Sequence, residues 1–133
     1  MKEVYYKNNR TTDEIITKLA NDYVSNIAEA RKALNNLIMI VFGSIPPLNN
    51  PGYVSDEFPV FGTIEERISV NRQLNLKLKE LCLENDILFL DVAKHYETNE
   101  GDFQWELSDQ FCHISSYFQE PGIEMLYTML AEK

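Results

Sequence analysis

The chain has 133 residues, enough for one domain, and its 44% apolar content with seven Phe, seven Tyr and one Trp can build a core, which argues against disorder. The formal net charge is −9. A surface of that sign repels phosphate backbones and anionic lipids, so neither nucleic acid nor a membrane is expected as a partner; solubility alone accounts for the charge.

The first ten residues carry no apolar core and no small-residue cleavage site, so no secretory signal is read there. A helix is expected from about Thr12 to Leu34. Thr11 and Glu14 have capping-box spacing, and Ile15, Ile16, Leu19, Tyr23, Ile27 and Ala30 repeat at helical intervals. Asn35 and Asn36 break it. The run Leu37 to Phe42 does not alternate, which suits a strand buried on both faces, and it is far too short to cross a bilayer.

Gly43 to Gly62 is a long connection holding four of the five prolines, Pro46, Pro47, Pro51 and Pro59. Such loops line binding sites or simply vary on the surface. Within it Asp56 and Glu57 solvate the loop, while Tyr53, Phe58 and Phe61 either line an apolar pocket or cover the helix beneath. A second helix begins at Thr63, with Glu66 at capping-box spacing. Its stripe is Ile64, Ile68, Asn71, Leu74, Leu78, Leu81 and Cys82. A buried Asn71 must be hydrogen-bonded, so it is expected to tie the helix to the long loop. Cys82 reads as core. Neither it nor Cys112 has metal-site spacing, so no metal or organic cofactor is implied, and a cytoplasmic location is expected.

Ile87 to Leu90 reads as a second buried strand ending at Asp91, which makes a βαβ unit with a right-handed crossover. A last helix is expected from Pro121 to Ala131, with Ile123, Leu126, Tyr127 and Leu130 as its apolar face. The chain is therefore read as a single α/β domain over residues 1–133. Val4 to Tyr6 and Gln104 to Leu107 are weaker strand candidates. Two buried strands need neighbours on both edges, so self-association or a partner chain covering the sheet edges is expected.

In open α/β sheets ligands bind beyond the carboxyl ends of the strands. Gly43 to Pro47, Asp91 and the loop Glu106 to His113 are expected to converge there. His113, near Asp109 and before the terminal helix, has the context of a general base whose tautomer is fixed by an acid; the bland alternative is a structural or surface histidine. His95 has no such context and reads as surface.

The order of parts resembles the back half of the SGNH (GDSL-type) hydrolases. Ile38 to Pro47 matches a strand and turn, Arg67 and Asn71 lie on the following helix, and Leu88 to Val92 matches the next strand. Ser108 to Ile114 matches the Asp/His loop, and a final helix follows Gly122. The resemblance covers roughly residues 12 to 131 and implies a partial flavodoxin-like, three-layer fold with a short parallel sheet flanked by helices. It implies an esterase or acylhydrolase acting on a small-molecule ester, with His113 and Asp109 as catalytic base and acid, and Gly43, Pro46 and Asn71 near the substrate.

Two departures qualify this. The family spacing is Asp-x-x-His, whereas Gln110 lies three before His113 and Asp109 four before. Either the loop bulges by one residue or the acid is lost. The family's Gly-Asp-Ser nucleophile segment is also missing, so the chain is expected to be an N-terminally truncated, catalytically incomplete relative. Ser44, after the first strand, is a rival nucleophile, but Pro46 and Pro47 follow at once and too few strands separate it from His113. The alternative function is a non-catalytic α/β binding or scaffold module.

Overall fold

The computed structural model describes residues 10–35, 37–49, 56 and 60–132. They form a small α/β fold of four α-helices and a two-stranded parallel sheet. In chain order these are α1 (Thr12–Ala33), β1 (Ile40–Phe42), α2 (Ile64–Glu84), β2 (Leu88–Leu90), α3 (Ala93–Tyr96) and α4 (Glu120–Ala131). Two 3-10 turns, Trp105–Leu107 and Ser116–Phe118, precede α4. Contacts divide the chain into two compact units. The first draws its described residues from Met1–Gly43 and Arg72–Phe89, the second from Ser44–Asn71 and Leu90–Lys133.

The first unit starts with α1, held at its N-terminus by a capping box. The Glu14 N–H donates to Thr11 Oγ1 at 3.2 Å, and the Thr11 N–H donates to Glu14 Oε2 at 2.8 Å. The Thr11 N–H, and after it the Thr11 hydroxyl, which donates to the same Oε2 at 3.1 Å, hold the Glu14 carboxyl below its ordinary range. Asp13 and Glu14 in the first turn and Arg31 and Lys32 in the last complement the helix dipole. The buried face corrects the expected stripe. Ile15, Ile16, Ala20 and Val24 are buried, whereas Leu19 and Tyr23 are exposed. The i, i+4 row that starts at Ile16 faces the core, and two of its members are the small residues Ala20 and Val24.

Ala20 and Val24 of that row pack in a cluster with Val41, Leu78, Leu81, Cys82 and Ile87. Helix α2 ends where Asp86 enters the left-handed region at φ 54°, and the Ile87 N–H returns to the Cys82 carbonyl at 2.9 Å. This turn feeds β2. The Leu88 N–H donates to the Met39 carbonyl at 3.0 Å, which sets the register against the approach to β1. Strand β1 is shorter than expected and is not buried on both faces. Val41 is 1% exposed, but Ile38 and Phe42 are 62% and 52% exposed. The pleat turns alternate side chains to opposite faces, and only the Val41 face meets the core.

In the second unit, the first turns of α2 repeat the capping arrangement, with the Thr63 N–H donating to Glu66 Oε2 at 2.9 Å. Arg67 Nη1 and Nη2 donate to the carbonyls of Leu48 and Asn49 at 2.7 and 3.1 Å. Tyr96, fully buried, is the hub of this unit. Its hydroxyl donates to the Phe118 carbonyl at 2.8 Å, and its ring stacks on Phe103 with centroids 5.8 Å apart. Burial pushes the Tyr96 phenol up from its usual range. Pro121 lies in the first turn of α4, as expected. The expected apolar face of α4 is corrected: Ile123, Tyr127 and Leu130 are exposed, and the half-buried side is Gly122, Met125, Leu126 and Met129.

The proposed strand Gln104 to Leu107 is a 3-10 turn, closed by the Leu107 N–H to the Gln104 carbonyl at 3.0 Å. Val4 to Tyr6, Pro51, Tyr53 and Glu57 to Pro59 lie outside the described residues. Asp56 and Phe61 are exposed.

Candidate functional site: the Asp109–His113 loop

The loop between the two 3-10 turns is pinned at its base. Ser108 and Ile114 form an antiparallel bridge, the Asp109 N–H donates to the His113 carbonyl at 3.0 Å, and the Ser115 N–H donates to Leu107 at 2.9 Å. Five residues, Asp109 to His113, therefore form a closed lobe. Ser108 is buried and braces it from below. Its hydroxyl donates to the Trp105 carbonyl at 2.9 Å and accepts the Gln110 N–H at 3.0 Å.

Asp109 organises the lobe. Its Oδ1 accepts the backbone N–H groups of Phe111, Cys112 and His113 at 2.8, 3.1 and 3.0 Å. Its Oδ2 lies 2.7 Å from His113 Nδ1. The imidazole hydrogen bond first, then the backbone N–H groups, hold the Asp109 carboxyl well below the usual carboxylate range. Gln110 adopts φ 67°, the left-handed region. That one residue is the bulge that lets an acid four positions before the histidine reach its ring.

An ionised carboxylate only accepts hydrogen bonds, so Nδ1 carries a proton, and whenever the ring is uncharged Nε2 presents a lone pair. The His113 side chain is 72% exposed, so that lone pair is open to a solute. Cys112 Sγ lies 3.4 Å from Nε2 and 3.7 Å from Nδ1. Near-equal distances place the sulfur over the ring face rather than on the Nε2 lone pair. Chemically, the loop is an oriented base with a thiol beside it. Cys112 was not singled out by sequence reasoning; its adjacency to His113 was the available signal.

Gly43 is buried in the first unit. In the second, Pro46 is buried, and Asn71 Nδ2 donates to Ser44 Oγ at 3.0 Å and to the Ile45 carbonyl at 2.8 Å. Asn71 thus ties the helix to the loop. Among the described residues the ring partners of His113 are Asp109 and Cys112, and Ser44 is not one of them. His95 is exposed on α3, and Cys82 is buried, its thiol pushed up by burial. Among the described residues no three His, Cys, Asp or Glu side chains are grouped as a metal site requires, and no helix is long and apolar enough to cross a membrane.

No family model, no curated protein and no solved structure matches this chain.

Proposed function

We propose that the chain is an SGNH-type, flavodoxin-like hydrolase relative in which His113 is the general base of an acyl-transfer site and Asp109 its orienting acid. The observation that carries this reading is the 2.7 Å bond from His113 Nδ1 to Asp109 Oδ2. It selects the tautomer that leaves Nε2 able to take a proton from an attacking hydroxyl or water, and it steadies the imidazolium that results. Asp109 fills the acid's role despite the altered spacing. No serine is assigned as nucleophile, since no serine hydroxyl among the described residues meets the ring.

The test is p-nitrophenyl acetate turnover by the full chain and by His113→Ala. Turnover should fall roughly 10²-fold, the lower end of a positioned base's contribution. Measurable turnover that is equal in the two proteins overturns the assignment of His113 as base.

A second reading is favoured by a separate observation. Leu37, Ile38 and Phe42, on and before β1, are each more than half exposed. Apolar side chains beside a two-stranded sheet suit a partner chain or second copy covering its edge. Sedimentation velocity checks it, and a monomer at all concentrations would count against this reading.

A further inference from the structure

A cleft of about 280 Å³ in the second unit is lined by Asn49, Asp102, Phe103 and Trp105. It uses none of the atoms of the Asp109–His113 pair. Its walls are fixed. The Phe103 N–H donates to the Pro47 carbonyl at 3.0 Å, and Phe103 stacks on the buried Tyr96. The Asn49 carbonyl is held by Arg67, whose guanidinium also serves Leu48. The Trp105 carbonyl accepts from Ser108, and Trp105 remains 41% exposed. Asp102 Oδ1 accepts the Thr98 hydroxyl, while Oδ2 has no hydrogen-bond partner among the described residues.

We propose that this cleft binds a small alkylammonium group, of the quaternary or methylated amine class. Three properties converge. An exposed indole is the best aromatic face for a cation. A carboxylate with an unused oxygen lines the same space. The net charge of −9 raises the local concentration of cations and lowers that of anions. Size narrows the choice, because the volume sits at the lower limit of small-molecule sites and admits a headgroup rather than a polymer. A sugar ring would need several directed hydrogen bonds. Among the described residues the lining offers one carboxylate and one amide, whereas a methylated ammonium needs only the aromatic face and the charge.

The chain contains a single tryptophan, so its indole fluorescence comes from Trp105, on the wall of this cleft. Titration of the full chain with choline or tetramethylammonium, at constant ionic strength with sodium as control, should give a saturable change in the millimolar range. Neutral 3,3-dimethylbutanol, which copies the shape without the charge, should give none. Asp102→Asn keeps an oxygen for Thr98 and should weaken binding about fivefold, the worth of one exposed ion pair. Trp105→Leu, read by broadening of the choline methyl resonance, should abolish it. Equal binding of the neutral isostere, an unchanged affinity in Asp102→Asn, saturation by a monosaccharide instead, or no saturable change at all would each overturn the proposal.

Discussion

His113 and Asp109 are four residues apart, yet the ring nitrogen Nδ1 meets the carboxylate Oδ2 at 2.7 Å, because the same carboxylate gathers the backbone of the residues between them. Charge and backbone order are thus coupled in one side chain. Asp109→Asn separates the two roles. Its amide oxygen can still accept the three N–H groups, but it carries no charge to stabilise an imidazolium. Any turnover dependent on His113 should therefore fall at least tenfold, while the thermal midpoint falls by less than in Asp109→Ala, because only the charge is lost and the backbone acceptor is kept. Asp109→Ala should lose both and lower the thermal midpoint further, as the loop N–H groups lose their acceptor. If the two variants behave alike in stability, the backbone role is wrong.

The lowered Asp109 carboxyl fixes a pH dependence. A folded-state pKa below the unfolded value means that the folded chain binds fewer protons, so stability rises with pH across the interval between the two. The contribution is full above the unfolded value of about 3.9 and drains away as pH falls below it. The Asp109 side-chain carboxyl ¹³C shift should therefore still report the ionised form at pH 3, where ordinary aspartates are largely protonated. A midpoint near 4 would contradict the four-bond arrangement.

The two thiols should separate cleanly. Cys82 is 0% exposed inside the first unit's cluster and burial raises its thiol, whereas Cys112 is exposed on the loop. A disulfide reagent such as DTNB should titrate one thiol in the native chain and two after unfolding, with the native adduct mapped to Cys112 by peptide mass. Rapid native reaction at Cys82 would show that the core cluster opens.

Local features of this chain were legible and relational ones were not. Thr11 with Glu14 and Thr63 with Glu66 announce helix starts because capping needs only neighbours in sequence. The face of α1 was misjudged because Leu19 and Tyr23 look more apolar than Ala20 and Val24, while the core chose the smaller row that meets Leu78 and Cys82. β1 was expected to be buried on both faces because Leu37 to Phe42 does not alternate. That pattern cannot reveal that only one layer packs on it. At the site, Asp109 and His113 were visible as a pair, but their spacing left open whether they meet. The deciding feature, the left-handed backbone of Gln110, is not written in a glutamine side chain.

Tyr96 anchors the second unit through one hydrogen bond and one ring contact. Tyr96→Phe keeps the stacking on Phe103 and removes only the hydroxyl that donates to the Phe118 carbonyl. The loss should be about 1 kcal/mol, or roughly 3–5 °C in thermal midpoint for a chain of this size. Tyr96→Ala empties a fully buried site and should cost about 3–5 kcal/mol. A negligible effect of the alanine variant would mean that the second unit does not depend on this ring.

Gln110 provides the sharpest check on the loop. Its φ of 67° is reached by a residue with a Cβ only at a cost of about 1–2 kcal/mol, which the Ser108 and Asp109 hydrogen bonds offset. Gln110→Gly removes that strain but loosens the unfolded chain by about 0.4–1 kcal/mol, so the net change should be between zero and about 1.6 kcal/mol of stabilisation, with the His113–Asp109 bond kept. Gln110→Ile adds a β-branched side chain that resists the left-handed region and should cost more than 1 kcal/mol. The two are compared by urea denaturation and by the low-field Nδ1 proton resonance of His113. That resonance should survive in the glycine variant and broaden or vanish in the isoleucine one. Were isoleucine tolerated with the resonance intact, the bulge would not be what brings Asp109 to the ring.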